Sequence, residues 1–169
     1  MLETKVCVVG AFATGKTSLV TQLLEGSCRQ HYQTTVGVRI ERKQIETAQT
    51  QMDMVLWDMH SEDQFQQVQM SYIRGASAYV LVVDGMRRAS LTTALDLQKR
   101  VTQRIGNVPC LMIINKCDLQ ANWEITEDDI ALLKAQNYDL IRTSTKTGVG
   151  IDRCLSKLLE KLSTAANKS

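Results

Sequence analysis

The chain has almost no excess of charge. Twenty Lys and Arg residues stand against 18 Asp and Glu, a formal net charge of +2 over 169 residues, and no run of like charges occurs. Composition therefore gives no argument for a nucleic-acid surface, and no nucleic-acid partner is expected. No apolar run reaches membrane-spanning length, and there is neither an internal repeat nor a low-complexity tract. No secretory leader is expected either, since Met1-Leu2-Glu3-Thr4-Lys5 leads straight into the first apolar run. The five cysteines (Cys7, Cys28, Cys110, Cys117, Cys154) are odd in number and partly set inside apolar runs. They read as reduced thiols packed as small hydrophobes, so an intracellular, cytoplasmic, soluble protein is expected.

What is present fits one compact unit. With 44% hydrophobic residues the chain can bury a real core, and a single domain spanning 1–169 is expected, its core at about 5–162 and its last residues, Ser163 to Ser169, frayed. Short, nearly continuous apolar runs at Lys5 to Val9, Met52 to Trp57, Ala78 to Asp84, Pro109 to Asn115 and Tyr138 to Thr143 read as strands covered on both faces. Helical stripes separate them, one at Leu19, Val20, Leu23 and Leu24, another at Ile151, Leu155, Leu158, Leu159 and Leu162. Ser90 and Thr126 stand where helix N-caps are expected, the second with Asp129 three residues on.

One segment breaks the alternation of strand and helix. Val36 to Ile45 alternates at its start and is joined to the strand ending at Trp57 by the polar stretch Thr47 to Gln51, too short for a helix, so it reads as an antiparallel hairpin at the sheet edge. The expectation is an α/β, doubly wound sheet of six strands, mostly parallel with one antiparallel edge strand, and five helices. Its ligand should lie beyond the carboxyl ends of the strands.

At the first of those ends stands Gly10-Ala-Phe-Ala-Thr-Gly15-Lys16-Thr17, a complete G-x-x-x-x-G-K-[ST] phosphate-binding loop between the Val6-Cys7-Val8-Val9 run and a helical pattern. A triphosphate needs many hydrogen-bond donors without bulky side chains in the way. Such a loop turns successive backbone N–H groups inward and hands the anion to the positive end of a helix. Gly10 and Gly15 permit the tight path, Lys16 reaches the β and γ phosphates, and the Thr17 hydroxyl takes one position on an octahedral Mg²⁺. The plain alternative is a Gly-containing turn between strand and helix.

Two later loops face the same side. Asn115-Lys116-Cys117-Asp118 follows the strand at 109–115, and Thr143-Ser144-Thr145-Lys146 follows the strand at 138–143. A carboxylate in the base plane accepts two hydrogen bonds from the N1–H and exocyclic amine of guanine, whereas adenine offers no such pair, which makes Asp118 the guanine selector. The Lys116 stem is expected along one base face, Asn115 between the loops, and a backbone N–H near Thr145 on the guanine O6. Taken alone, Asn-Lys-x-Asp is a weak pattern and more often a polar strand-end turn than a base reader; its position after the phosphate loop reverses those odds.

With these motifs in order, the chain resembles the small GTPases of the Ras superfamily, the Rab branch most closely, from Lys5 to about Leu162. The resemblance implies a P-loop G-domain fold. Thr35-Val36-Gly37 resembles the switch I threonine and the strand after it, and Leu56-Trp57-Asp58 the start of switch II. Ser144-Thr145-Lys146 resembles the last guanine loop, with Thr for the usual Ala. The motifs and the resemblance together assign GTP and GDP to Gly10, Ala13, Thr14, Gly15, Lys16, Thr17, Ser18, Thr35, Asn115, Lys116, Asp118, Ser144, Thr145 and Lys146. The resemblance implies Mg²⁺ held by Thr17, Thr35 and, through water, Asp58, and effector and regulatory proteins that read switch I and switch II as the γ-phosphate orders and releases them.

Departures from the family pattern matter as much. Switch II normally reads Asp-x-x-Gly-Gln-Glu, and here it reads Asp58-Met59-His60-Ser61-Glu62-Asp63. Ser61 keeps a backbone N–H but accepts fewer backbone angles than Gly, and Glu62, an anion, has no N–H to donate to the transferring phosphoryl group. Beside Lys16, Ser61 and Glu62 are the candidate catalytic positions, with His60 or Glu62 as substitute water-positioning groups. Phe12 occupies a loop position that is often small in the family, where its ring would obstruct an incoming arginine finger. Packing over switch II is the plainer reading for Phe12, and a solvated side chain for Glu62. Cys28 stands where relatives carry an aromatic ring across the guanine, with Tyr32 and His31 as substitutes.

No cysteine follows Cys154 and no Met-Gly opens the chain, so no lipid anchor is evident; a protein soluble throughout and a piece whose tail has been removed both fit. A GTP-binding switch with slow hydrolysis is the first expectation. A guanine-nucleotide-binding interaction module without turnover is the second, and a nucleoside kinase or ATPase sharing the phosphate loop the third.

Overall fold

The structure is a computed structural model that describes residues 2–25, 30–33, 38–46, 51–59 and 70–167. Seven strands are described: β1 (Leu2–Gly10), β2 (Gln30–Gln33), β3 (Val38–Glu46), β4 (Gln51–Met59), β5 (Ala78–Asp84), β6 (Cys110–Asn115) and β7 (Leu140–Arg142). They form one sheet in the order β2-β3-β4-β1-β5-β6-β7. The pairs from β4 through β1, β5 and β6 to β7 are parallel, whereas β3 is antiparallel to both β4 and β2. All six expected strands are present, and β3 and β4 pair as the expected antiparallel hairpin strands, up to Glu46 opposite Gln51. The seventh, β2, extends the antiparallel edge by four residues. Its sequence, Gln30-His31-Tyr32-Gln33, is polar and gives no apolar alternation to read.

Four α-helices are described: α1 (Lys16–Leu23), α2 (Arg88–Ile105), α3 (Glu127–Ala135) and α4 (Ile151–Ala166). A 3-10 stretch covers Cys117–Asn122, and residues 70–72 are also helical. The period of two along β1 divides the core. Val6 and Val8 face a cluster with Leu19, Leu23 and Leu158 from α1 and α4, while Cys7 and Val9 face Leu91, Ala94, Ile130 and Leu133 from α2 and α3. Helices therefore cover both faces of the central strands, and every residue of β5 is buried. In α4 the buried stripe is Ile151, Cys154, Leu158 and Leu162, with Leu155 and Leu159 at its margin.

The helix ends show where local chemistry acts. Thr126 caps α3 in a complete capping box, its side chain accepting from the Asp129 N–H while the Asp129 carboxylate accepts from the Thr126 N–H. The same helix ends in a Schellman motif: Asn137 turns left-handed (φ 66°), its N–H bonds to Lys134 and that of Tyr138 to Leu133. Tyr138 is thereby used to close a helix, so β7 begins at Leu140 and not at Tyr138. Ser90 is a correction. Helix α2 already begins at Arg88 with Arg87 at the N-cap, so Ser90 lies inside the first turn. Its hydroxyl accepts from the Asp84 N–H (2.9 Å) and lies 2.7 Å from the Arg87 carbonyl, which pins the turn between β5 and α2.

Candidate functional site

Three loops meet at the carboxyl ends of β1, β6 and β7. The first runs from Gly10 to Thr17. A Cβ on Gly10 would lie 2.4 Å from the Val82 carbonyl, and Ala13 (φ 58°) and Gly15 (φ 99°) both take the left-handed backbone that rolls the loop into α1. Gly15 is the N-cap of α1, with no side-chain cap and no acidic residue in the first turn. The amino end that carries Lys16, Thr17 and Ser18 thus keeps its positive dipole, the condition an anion needs. Thr17 and Ser18 are exposed, and Thr14, fully buried, closes the loop by donating to the Ala11 carbonyl (3.0 Å).

Lys16 is only 7% exposed, and its Nζ donates to the carbonyls of Gly10 (3.2 Å) and Ala11 (2.7 Å). Burial pushes its pKa down to about 8 even though the Asp58 carboxylate pulls the other way. A cation held at such cost among carbonyls is poised for an anion that would relieve it.

The guanine-type loops interlock through Asn115, which is 1% exposed. Its Nδ2 donates to the Thr14 carbonyl (3.0 Å) and the Thr145 hydroxyl (3.2 Å), while its Oδ1 accepts from the Thr143 hydroxyl (3.2 Å) and the Thr145 N–H (3.1 Å). One side chain thus joins the phosphate loop to the loop after β7, the tie expected of it. Asp118 is exposed and held by Ser144, whose hydroxyl donates to Oδ1 (2.7 Å). Lys146 is exposed beside it in sequence. Lys116, left-handed at φ 70°, reaches back across the phosphate loop to the Ala13 carbonyl (3.3 Å) and to Asp84 (2.7 Å). The indole of Trp123 fixes the same loop by donating to the Lys116 carbonyl (2.9 Å).

Residues 5–164 match the Ras family. The chain belongs to the Ras family. Among relatives, it is 33% identical over 166 residues to the Ras-related protein Rab-7L1 of Homo sapiens, covering 94% of this chain and 81% of that protein. It is 27% identical over 165 residues to the Ras-related protein RABC2a of Arabidopsis thaliana, covering 95% and 78%. It is also 27% identical over 163 residues to the Ras-related protein Rab-32C of Dictyostelium discoideum, covering 94% and 73%. This is a Rab-like, GTP-binding small GTPase of the Ras superfamily.

As in other doubly wound folds, the loops of this Ras-family chain gather at the carboxyl ends of parallel strands. A divalent cation is implied by the family, and the residues present fit one. The Thr17 hydroxyl donates to Asp58 Oδ2 (2.6 Å), and Asp58 Oδ1 is buried with no hydrogen-bond partner. A water bound to a hard cation is the donor such an oxygen lacks. Among the described residues no group of three or more His, Cys, Asp and Glu gathers.

Thr35, His60, Ser61, Glu62 and Cys28 lie outside the described residues, and His31 and Tyr32 are described only as backbone. Phe12 is described and 68% exposed. Among the described residues no helix is long and apolar enough to cross a membrane. Residues 72–74 are fastened to β1 and β4. Lys5 Nζ lies 3.8 Å above the Trp57 ring and donates to the carbonyls of Tyr72 and Arg74, while the Trp57 and Tyr72 rings stack at a tilt, 5.8 Å apart.

Sequence reasoning missed the group at Asp84. This carboxylate, 1% exposed, accepts from Lys116, from Arg87 Nε (3.0 Å) and from the Met86 N–H (2.9 Å). Burial would raise its pKa, but Lys116 and Arg87 outweigh that and hold it below the usual carboxylate range. The signal was present: Asp84 is the one charged residue in an otherwise apolar, fully buried strand.

Proposed function

We propose that the chain is a guanine-nucleotide switch that hydrolyses GTP to GDP and phosphate slowly, with the nucleotide held by the phosphate loop and the loops at Asn115 to Asp118 and Ser144 to Lys146. The observation that carries this reading is the Asn115 network, which locks phosphate loop and base loops into one frame. On this reading Gly10, Ala13, Thr14, Gly15, Lys16, Thr17 and Ser18 hold the phosphates. Asp118 selects guanine, with Lys116 and Asn115 positioning the loops and Ser144, Thr145 and Lys146 closing the base site. Thr17 and Thr35, with Asp58 through water, would hold Mg²⁺, whose contribution when bound is to neutralise charge on the phosphate oxygens.

In the reaction a water oxygen bonds to the γ-phosphorus as the bond to the β–γ bridging oxygen breaks, and the water's protons end on phosphate and solvent. Lys16 stabilises the charge that gathers toward the β-phosphate. Ser61 and Glu62 make the step slow, because neither supplies what a glycine N–H and a glutamine amide do there. Replacing both, Ser61→Gly with Glu62→Gln, is expected to raise single-turnover phosphate release by about tenfold or more. An unchanged rate would contradict the slow-hydrolysis reading. The switch II sequence also suits an interaction module that binds nucleotide without turnover, and multiple-turnover phosphate release by the wild type separates the two.

Exchange carries a second consequence. With Cys28 in the position of a stacked aromatic, GDP leaves quickly, so Cys28→Phe should slow release of a fluorescent GDP analogue about 5- to 150-fold, the equivalent of roughly 1–3 kcal/mol of stacking. Equal rates in the two proteins would remove Cys28 from the account. Effector and regulatory proteins would read switch I with β3 and switch II, the segments that follow the γ-phosphate.

A further inference from the structure

We propose that Asp84 and Arg87 form a clamp on the outer wall of the phosphate loop and act as positioning residues for the phosphate end of the nucleotide. The proposal rests on the guanine-nucleotide reading of the site. Two successive carbonyls of the loop are gripped by two cations: Arg87 Nη2 donates to Phe12 (2.5 Å) and Lys116 Nζ to Ala13 (3.3 Å). Both cations then meet on one oxygen, Asp84 Oδ2, at 3.0 Å and 2.7 Å. The other oxygen accepts the Met86 N–H, and the Asp84 N–H is taken by Ser90. The carboxylate therefore has no freedom to swing away, and its rigidity passes to both cations.

A phosphate loop binds anions by pointing N–H groups inward, which requires its carbonyls to point outward. Outward carbonyls repel one another unless donors neutralise them. Arg87 and Lys116 supply those donors at Phe12 and Ala13, the stretch where the loop turns left-handed. Two cations against one carboxylate also leave a surplus positive charge at the rim, of the sign a diphosphate needs. The guanidinium meets its two partners with separate nitrogens of one rigid planar fork, Nε on the carboxylate and Nη2 on the carbonyl, whereas Lys116 shares a single ammonium on a flexible stem between its two. Arg87 belongs to the turn before α2 and its side chain is 43% exposed, so replacing it removes no core packing.

The test compares GDP with GMP, which share the base but differ in the β-phosphate. Affinities of both are measured in the full chain by competition against a fluorescent guanine nucleotide, for wild type, Arg87→Ala and Arg87→Lys. The clamp predicts that Arg87→Ala weakens GDP by about tenfold or more, the scale of a lost charged hydrogen bond, while GMP changes by less than about threefold. Arg87→Lys, with one point cation, should lie between. A GDP-to-GMP affinity ratio that stays at the wild-type value in both variants, or a loss of both nucleotides in equal proportion, overturns the clamp. Wild-type protein that binds no guanine nucleotide would instead refute the proposed function.

Discussion

Asp118→Asn is expected to turn the base preference from guanine to xanthine. The carboxylate is exposed and oriented, one oxygen accepting from the Ser144 hydroxyl at 2.7 Å. As an acceptor-only group it matches the N1–H and C2 amine of guanine. An asparagine amide offers one acceptor and one NH₂, so its NH₂ meets the guanine amine donor to donor, and a pair of charge-assisted bonds is lost. At about 1.5–3 kcal/mol each, GDP affinity should fall roughly 10²- to 10⁴-fold. Xanthine carries a carbonyl at C2, and the same NH₂ donates to it. Titration of the variant with GDP and with xanthosine diphosphate checks this, the second being expected to bind more tightly. Retention of GDP within about threefold of wild type would remove Asp118 from base selection.

Gly15→Ala should be nearly as damaging, for a purely steric reason. Its backbone is left-handed at φ 99°, and a Cβ there would stand 2.3 Å from Asn115 Nδ2. A flexible side chain would step aside, but Asn115 is held at both ends by Thr14, Thr143 and Thr145. The new methyl group therefore strains the loop by about 1–2 kcal/mol and breaks at least one buried bond, itself about 1–3 kcal/mol when a partner is orphaned. GDP affinity should drop by about 10²-fold or more. Because the strain lies in the frame joining phosphate loop and base loops, ADP and inosine diphosphate should not bind better in compensation. Unchanged GDP binding, measured calorimetrically, would mean the frame does not bear on the nucleotide.

Much of this site was legible because ligand geometry dictates spacing. Gly10, Gly15 and Lys16 stand where a phosphate cradle requires them, and Asp118 stands a fixed distance past the end of β6, so a short pattern in the right order carried the reading. The strands were legible for a different reason: β5 is covered on both faces, and a continuous apolar run is the mark of such burial. Where a segment answers to its neighbours and not to the solvent, the pattern fails. The polar strand β2 exists by pairing with β3, Tyr138 is taken up by the end of α3, and Ser90 fastens a turn that Arg87 caps. The Asp84 group shows the same limit. Its three partners come from 2, 3 and 32 positions along the chain, and only the fold brings the last to it.

The charge distribution adds coherence to the site. Lys16, Lys116 and Arg87 surround the phosphate loop, and the acidic groups close to them, Asp58 and Asp84, are both buried. The two carboxylates act in different places. Asp58 faces the Thr17 hydroxyl, and Asp84 faces the two cations on the outer wall. A polyanion entering the loop thus meets donors and cations first.

Isothermal titration of the nucleotide-free protein with GDP and then ADP, in the presence of magnesium, shows whether the site reads a guanine base. Saturable, one-to-one GDP binding is expected, with ADP weaker by at least about a thousandfold, the discrimination a hydrogen-bonding base site provides. ADP bound as tightly as GDP, or no heat from either, would contradict the proposed function.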